Sequence, residues 1–245
     1  MIKFFRQIRQ NLLIENKIST YLKYAAGEIL LVIIGILIAV SINNWNEDRN
    51  ENRKLKVEEQ SLLKDIEKEM ELNKKAIEHV IAEHKKSLQA AKELSALFKD
   101  REAFNEMSDS TFGQLTAKMY KNHTYDPQSG MLNSIISSGR INQFSNKNLK
   151  YLLASFKEAT IDAFESTMTI EHEKQDLFKS TLINSYIIKD GNIIGFNLKS
   201  PYDDPAFRIL NDIFFITIRE EGLIEEDQLK EHLELILDFI DQEKD

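Results

Sequence analysis

Cysteine is absent from the 245 residues. The chain therefore has no disulfide framework, no thiolate nucleophile, no cysteine-ligated zinc and no iron–sulfur cluster. Turn-forming residues are scarce as well, with 8 glycines and 3 prolines where an average sequence has roughly 12% of the two. So little punctuation disfavours an all-β fold and favours long uninterrupted helices. The chain also lacks a glycine-rich phosphate loop, a dinucleotide fingerprint and a Gly-x-Ser-x-Gly elbow. Its five histidines, His79, His84, His123, His172 and His232, form no His-x-x-x-His pair, and none is the second member of Glu-x-x-His, the spacings that place metal ligands on one helix face. The carboxylates are too numerous and too scattered over helices for any pair to stand out as acid and base. The sequence nominates no catalytic residue, no metal ligands and no cofactor.

What it does contain is one long apolar run. From Ile29 to Asn46 there is no charge, and the first fourteen positions are aliphatic except for Gly35 and Ser41. With the approach from Tyr24, the stretch to Trp45 would extend roughly 33 Å as a helix, matching a hydrocarbon core of about 30 Å. The expectation is one transmembrane helix over 24–45, with Tyr24 and Trp45 at the two membrane interfaces. A cleavable signal peptide is the rival, because Ala39-Val40-Ser41 resembles a processing site. Against it stands the preceding segment, 1–23, which has a pattern of its own. Ile2, Phe5, Ile8 and Leu12 share one helical face, with Lys3 and Arg6 off it and Arg9 at its margin, as in a basic helix lying on an anionic leaflet. Five cations and one acid precede the span; after it Glu47 and Asp48 come first and Arg49, Arg53, Lys54 and Lys56 lie farther out among further acids, a slight cation bias of five to four. The cation bias puts the N-terminus in the cytoplasm and 46–245 in the periplasm of a two-membrane cell, with the span in the inner membrane. Within the span, Glu28, Gly35 and Ala39 fall on one face with Val32 and Ile42, a candidate packing face for another helix.

Beyond the span the chain is acidic. With a tail of five cations and one acid, Glu28, and a total of −8, residues 46–245 carry −11. That sign disfavours nucleic acid as a partner. From Glu47 to Lys99 there is no glycine or proline. Leu63, Ile66, Met70, Asn73, Ile77, Val80, His84, Ser87, Ala91, Leu94 and Phe98 alternate steps of three and four, a helical seam interrupted by three polar residues. A coiled-coil dimer could use that seam, but a second long helix in the same chain is the preferred partner. It is expected from Asn146 to about Ile188, capped by Ser145, with Leu149, Leu152, Phe156, Ala163, Phe164, Met168, Leu177, Phe178 and Leu182 inward. Asp204-Pro205 opens a further helix that Gly222 should close. A last one runs from about Glu225 to Glu243 with Leu229, Leu233, Ile236, Leu237 and Ile240 on one face. The breakers Gly113, Pro127 to Gly139 and Gly191 to Pro205 are placed in connections. Tyr186 to Phe196 also reads as a small hairpin around Asp190-Gly191. The expected class is all-α: one N-terminal transmembrane helix followed by an elongated antiparallel helical bundle.

Tyr125 to Leu153 is the most distinctive segment outside the span. Ser129 or Asp126 can begin a short helix with Leu132, Ile135 and Ile136 apolar. Gly139 stops it, and Ile141 and Phe144 turn the chain inward. Ser137, Ser138, Gly139 and Arg140 would then form a polar rim with one cation, suited to a carboxylate or a partner's acidic loop. Three stretches, MIKFFRQIRQNLL, GEILLVIIGILIAVSINNWNE and LNSIISSGRINQFSNKNLKYLL, resemble a domain-of-unknown-function family of single-pass membrane proteins from flavobacteria and their relatives. The resemblance implies a basic tail, one span and a helical domain, and it brings no activity or catalytic residue. The expected function is a membrane-anchored noncatalytic module contacting the lipid bilayer and another membrane or periplasmic protein, or a second copy of itself. A sensory or small-ligand-binding bundle that signals through a partner membrane protein is the alternative. An enzyme is the third reading, which convergent polar side chains in a pocket would support.

Overall fold

A computed structural model describes residues 18–244; the expected interfacial helix of Ile2, Phe5, Ile8 and Leu12 lies outside the described residues. The described chain is overwhelmingly helical, with one small hairpin, and it divides into two compact units, Met1–Glu59 and Gln60–Asp245. Helix α1 spans Ile18–Lys99. Two helices were expected on either side of residue 46, but no glycine or proline lies between Gly35 and Lys99 to separate them.

In the first unit the aliphatic side chains from Ile29 to Ile42 are exposed all round the helix. Among the described residues, this helix alone is long and apolar enough to cross a membrane.

The second unit is built on α1 from Gln60 onward. Ten of the eleven expected seam residues, Leu63 through Leu94, are buried there, with Phe98 half-buried, so the seam is used within the chain. Short helices follow: α2 (Arg101–Glu106), α3 (Asp109–Met119) and α4 (Gly130–Ser137). Asp100 and Ser108 cap α2 and α3, each side chain accepting the N–H three residues on. Gly113, expected in a connection, lies inside α3, beside the Leu198 side chain. Gly139 adopts φ 74° and ends α4, and Arg140–Gln143 make one 3₁₀ turn.

Helix α5 (Lys147–Asp162) is capped by Asn146, not Ser145: the Asn146 amide oxygen accepts the N–H groups of Asn148 and Leu149 at 2.9 and 3.1 Å. The single long helix expected to follow is two. The backbone turns at Ala163 and Phe164, where Phe164 enters the core and stacks on Tyr125 at 5.4 Å, and α6 (Glu165–Ser185) begins anew. This break shifts the helical phase. Thr167 and Ile170 face inward, whereas Met168, expected inside, is exposed. The chain then forms the hairpin: β1 (Tyr186–Lys189) pairs antiparallel with β2 (Asn192–Phe196). Asp190 and Gly191 take φ 51° and 79°, the positive values that a two-residue hairpin turn requires.

Asp204 caps α7 (Pro205–Asp212), accepting from Ala206 N–H with Pro205 in the first turn. A π-helical turn over Ile213–Thr217 leads directly into α8 (Ile218–Gln242). Gly222 does not close this helix. It is buried within it, and a Cβ there would lie 3.3 Å from Ser166 Cβ and Thr167 Oγ1, so glycine permits α6 and α8 to approach closely. The wider π turn also explains the buried spacing of Phe207, Asn211, Phe215 and Arg219, three successive steps of four residues that would drift off one face of a regular α-helix.

Side chains sort into two apolar cores. One holds Leu63, Ile66 and Met70 of α1 with Leu149, Leu153 and Phe156 of α5 and Leu229, Leu233 and Ile236 of α8. The other holds Leu94 with Phe104, Phe112, Ile170, Tyr202, Phe207 and Phe215.

Candidate functional site

Between the two cores lies a layer of buried polar groups. Each helix contributes where its apolar residues pause: His84 and Ser87 of α1 between Ile81 and Ala90, Ser166 and Thr167 of α6 between Phe164 and Ile170, and Arg219 and Glu226 of α8 between Phe215 and Leu229. His84 Nδ1 lies 2.7 Å from Glu226 Oε1, and both side chains are fully buried. The other ring nitrogen, Nε2, accepts the backbone N–H of His123 at 2.9 Å. A nitrogen that accepts carries no proton, so the ring proton is on Nδ1 and is donated to the carboxylate. His84 is therefore neutral, and the contact is a charge-assisted hydrogen bond.

Thr167 Oγ1 donates to the same Glu226 oxygen at 2.8 Å, and Arg219 reaches Thr167 Oγ1 at 3.4 Å and the Asn122 amide oxygen. Asn122 Nδ2 in turn donates to Thr167 O and to Glu171 at 3.2 and 2.9 Å. Burial pulls the Arg219 pKa down to about 10, against the opposing pull of Glu226 and Glu171. It stays charged at neutral pH. Burial pushes the Glu171 carboxyl up, but hydrogen bonds from Lys174 and Asn122 hold it below its ordinary value. Glu226 Oε2 and Arg219 Nε have no protein partner among the described residues.

The three polar interruptions of the α1 seam share one task. Between Met119 and Gly130 the chain forms no helix or strand, and α1 fastens it at each interruption. Ser87 Oγ donates to Met119 O at 2.7 Å, His84 receives His123 N–H, and Asn73 is bonded to both backbone groups of Gln128, at 2.8 and 2.6 Å, and to Tyr125 OH at 2.9 Å. The spacing follows from geometry. Eleven helical residues from Asn73 to His84 cover about 16 Å, and five residues from His123 to Gln128 span about the same when extended. The strap runs antiparallel to α1 and satisfies its backbone on helix side chains. Just beyond it, Glu69 of α1 caps α4 from outside, accepting Met131 and Leu132 N–H at 2.8 and 3.0 Å. Ser129 occupies the cap position without a cap bond. Glu225 does the same for α6, accepting Ser166 N–H at 3.1 Å.

The corner rim is on the surface. Ser137, Ser138, Gly139 and Arg140 are all exposed. Both serine hydroxyls donate to Ser134 O, at 3.2 and 2.7 Å, and Arg140 Nε donates to Ser138 Oγ at 3.1 Å. The structure thus brings the four residues together, with the guanidinium at the edge. In the first unit no atom of the described residues lies within 4 Å of the Cβ position of Gly35, and Val32 and Ile42 are exposed. Trp45 is exposed at the end of the apolar run, with the Arg49 guanidinium 5.7 Å from its ring. The Tyr24 side chain lies outside what is described.

A feature the sequence did not single out is a groove of about 610 Å³ beside α1 and α3. Lys85, Lys86, Lys118 and Lys121 line it with Glu83 and Glu93 over a floor that includes Ala90 and Leu115. Glu83 pairs with Lys86 and, at 3.6 Å, with Lys121. Lys85 and Lys118 have no ion-pair partner among the described residues. Four lysines within an acidic domain were visible in the sequence only as scattered charges, because two come from α1 and two from the end of α3 and the strap. Among the described residues, no group of three or more histidines and carboxylates is arranged to hold a metal ion.

A protein-family model described as a family of unknown function (DUF6090) matches residues 28–169, more than half of the chain. No curated protein and no solved structure matches it.

Proposed function

The chain belongs to that family of unknown function, and from this premise we propose that it is a membrane-anchored, noncatalytic helical module that makes protein contacts at the periplasmic face of the inner membrane. One observation carries the reading. The aliphatic side chains of α1 from Ile29 to Ile42 are exposed all round the helix. Eleven Ile, Leu and Val residues stand between Ile29 and Ile42, and on insertion scales they favour bilayer entry by roughly 3–7 kcal/mol. A water-exposed helix of this composition is a liability. The cation bias of the N-terminal tail supports an N-in orientation, which would export the acidic domain as an elongated antiparallel bundle. The internal polar layer supports a noncatalytic role, since most of its hydrogen bonds tie the strap and the helices to one another. The Glu28, Gly35 and Ala39 face and the Ser137 to Arg140 rim are the proposed contact surfaces, one in lipid and one outside it. The test is alkaline carbonate extraction followed by detergent: the account expects the chain to stay in the membrane pellet and to be released only by detergent. Release by carbonate would overturn it.

The lysine groove favours a second reading, a ligand-binding bundle that signals through a partner membrane protein. Its size suits a small molecule, and its charge suits a multiply anionic one. Titration calorimetry of the full chain with citrate and pyrophosphate, for native protein and Lys85→Glu/Lys118→Glu, separates the readings: saturable binding lost in the variant supports the second, and no binding removes it.

A further inference from the structure

The lysine groove does not end at its lysines. It shares Glu93, Leu115 and Lys118 with a second groove of about 600 Å³ that continues toward the C-terminal end of α1. The two walls follow helical spacing. Along α1, Lys86, Ala90, Glu93 and Leu97 succeed one another by three or four residues and end at Asp100, while Lys121, Lys118, Leu115 and Thr111 descend the facing wall by the same steps, which aligns each row. The two grooves are one trough. Ala103 and Met107 close its far end, where Lys199 Nζ holds the backbone by donating to Phe104 O at 3.0 Å and to Met107 O.

The trough is basic at one end and chiefly apolar beyond it. Glu83 engages Lys86 at 2.5 Å and Lys121 at 3.6 Å. Lys85 and Lys118, one on each wall, are exposed and have no ion-pair partner among the described residues. From Ala90 onward the walls present Ala96, Leu97, Ala103, Met107 and Leu115. Glu93, Asp100 and Thr111, the polar residues along that stretch beside Gln114, are engaged locally. Gln89 donates to Glu93 at 2.9 Å, Asp100 accepts Ala103 N–H at 3.1 Å, and Thr111 Oγ1 is bonded to Ser108 Oγ at 2.9 Å.

We propose that the trough binds a single-chain lipid with a phosphate head, the head between Lys85 and Lys118 and the acyl chain along the apolar stretch. The inference rests on the second reading of the groove as a ligand site and deepens it by naming the ligand class. Charge and length both select this occupant. A phosphate monoester carries about −1.5 to −2 at neutral pH, which two free ammonium groups match. The ten helical residues from Ala90 to Asp100 cover about 15 Å, half of a hydrocarbon core of about 30 Å and thus the depth one acyl chain spans. An extended peptide laid there would leave backbone N–H and C=O groups unpaired against apolar walls. An acyl chain has no polar group to satisfy.

The probe is a lysophosphatidate with a diazirine in its acyl chain, added to native membranes containing the full chain, irradiated and mapped by mass spectrometry. Cross-links are expected at Leu97, Met107 or Leu115 as well as on the Ile29 to Ile42 run, whose labelling by membrane lipid is the internal reference. Lys85→Glu/Lys118→Glu removes two charge-assisted contacts and should lower trough labelling about tenfold or more against that reference. Ala96→Glu, which sets a charge on the apolar wall at an exposed position, should lower it with both lysines intact. A lysophosphatidylcholine carrying the same chain, its head zwitterionic, should label the trough about tenfold less. Helical circular dichroism of both variants should be unchanged, because every altered side chain is exposed. Labelling confined to the apolar run, or trough labelling indifferent to the head group or to either variant, would overturn the inference. Saturable pyrophosphate binding in the calorimetry with no trough labelling would overturn it and leave the groove a ligand site. The absence of both would remove that reading as well.

Discussion

Replacing His84 by leucine removes the ring at the centre of the polar layer while keeping similar volume. Two buried groups lose their partner. Glu226 loses a charge-assisted hydrogen bond of 2.7 Å, worth about 1.5–3 kcal/mol, and His123 N–H loses its acceptor at 2.9 Å, at a cost of about 1–3 kcal/mol. Glu226 keeps only Thr167 as a hydrogen-bond donor, since its other oxygen has no protein partner among the described residues. Breaking a buried pair on one side costs about 3–5 kcal/mol, and the two contributions together, about 2.5–6 kcal/mol, bracket that range. For a domain of 150–250 residues each kcal/mol shifts the melting temperature by about 2–4 °C, so His84→Leu should lower it by on the order of 10 °C. Thermal unfolding of the full chain in detergent, followed by circular dichroism at 222 nm, reads the shift. Adding Glu226→Gln to His84→Leu should cost little more, because the amide is no longer a buried charge. A His84→Leu protein within about 1 kcal/mol of native would refute the assignment of the layer as a cross-link between strap and core.

Gly222→Val should destabilise by more than about 2 kcal/mol in urea titration, because the added methyls meet Ser166 and a Thr167 hydroxyl already engaged with Glu226; a neutral result would mean that α6 and α8 separate easily. Gly139→Ala should cost about 1–2 kcal/mol by the same assay from backbone strain alone, since φ is 74° and nothing else stands near its Cβ position. The His123 pKa is lowered, first by burial and then by Lys121. The unfolded chain therefore binds that proton more readily, and stability from His123 is complete above about pH 6.5 and declines as the pH falls below it. His123→Gln, which retains the backbone N–H to His84, should flatten that part of the melting-temperature profile between pH 7 and 5; an unchanged profile would assign the slope to other groups.

The helical class and most of the core could be read from sequence because burial follows the three-and-four spacing: Leu63 to Leu94 and Leu229 to Ile240 stand inward as the periodicity requires. The caps at Asp204 and the stop at Gly139 were local signals and formed as expected. Errors arose where a residue answered to a distant partner. Gly222 carries a stop signal by type, yet α6 crosses at that point and uses the missing side chain as space. Met168 fits the stripe of a continuous helix, but the turn at Phe164 resets the phase. The π turn at Ile213–Thr217 has no sequence mark, and without it Arg219 would not be read as buried. Asn73, His84 and Ser87 were visible as polar intruders in an apolar seam. Their common purpose required the strap, whose path no local pattern encodes. Glu69 and Glu225 were equally hidden, because each caps a helix remote in sequence.

The central claim is that a lipid-embedded helix separates a cytoplasmic tail from an exported acidic domain, and a chain without cysteine allows it to be tested at single positions. Gln7→Cys in the tail and Tyr151→Cys, 73% exposed on α5, are each treated in intact spheroplasts with a membrane-impermeant maleimide, then again after permeabilisation. The account predicts labelling of Tyr151→Cys in both conditions and of Gln7→Cys only after permeabilisation. Labelling of Gln7→Cys in intact spheroplasts, or protection of Tyr151→Cys until they are opened, would contradict it.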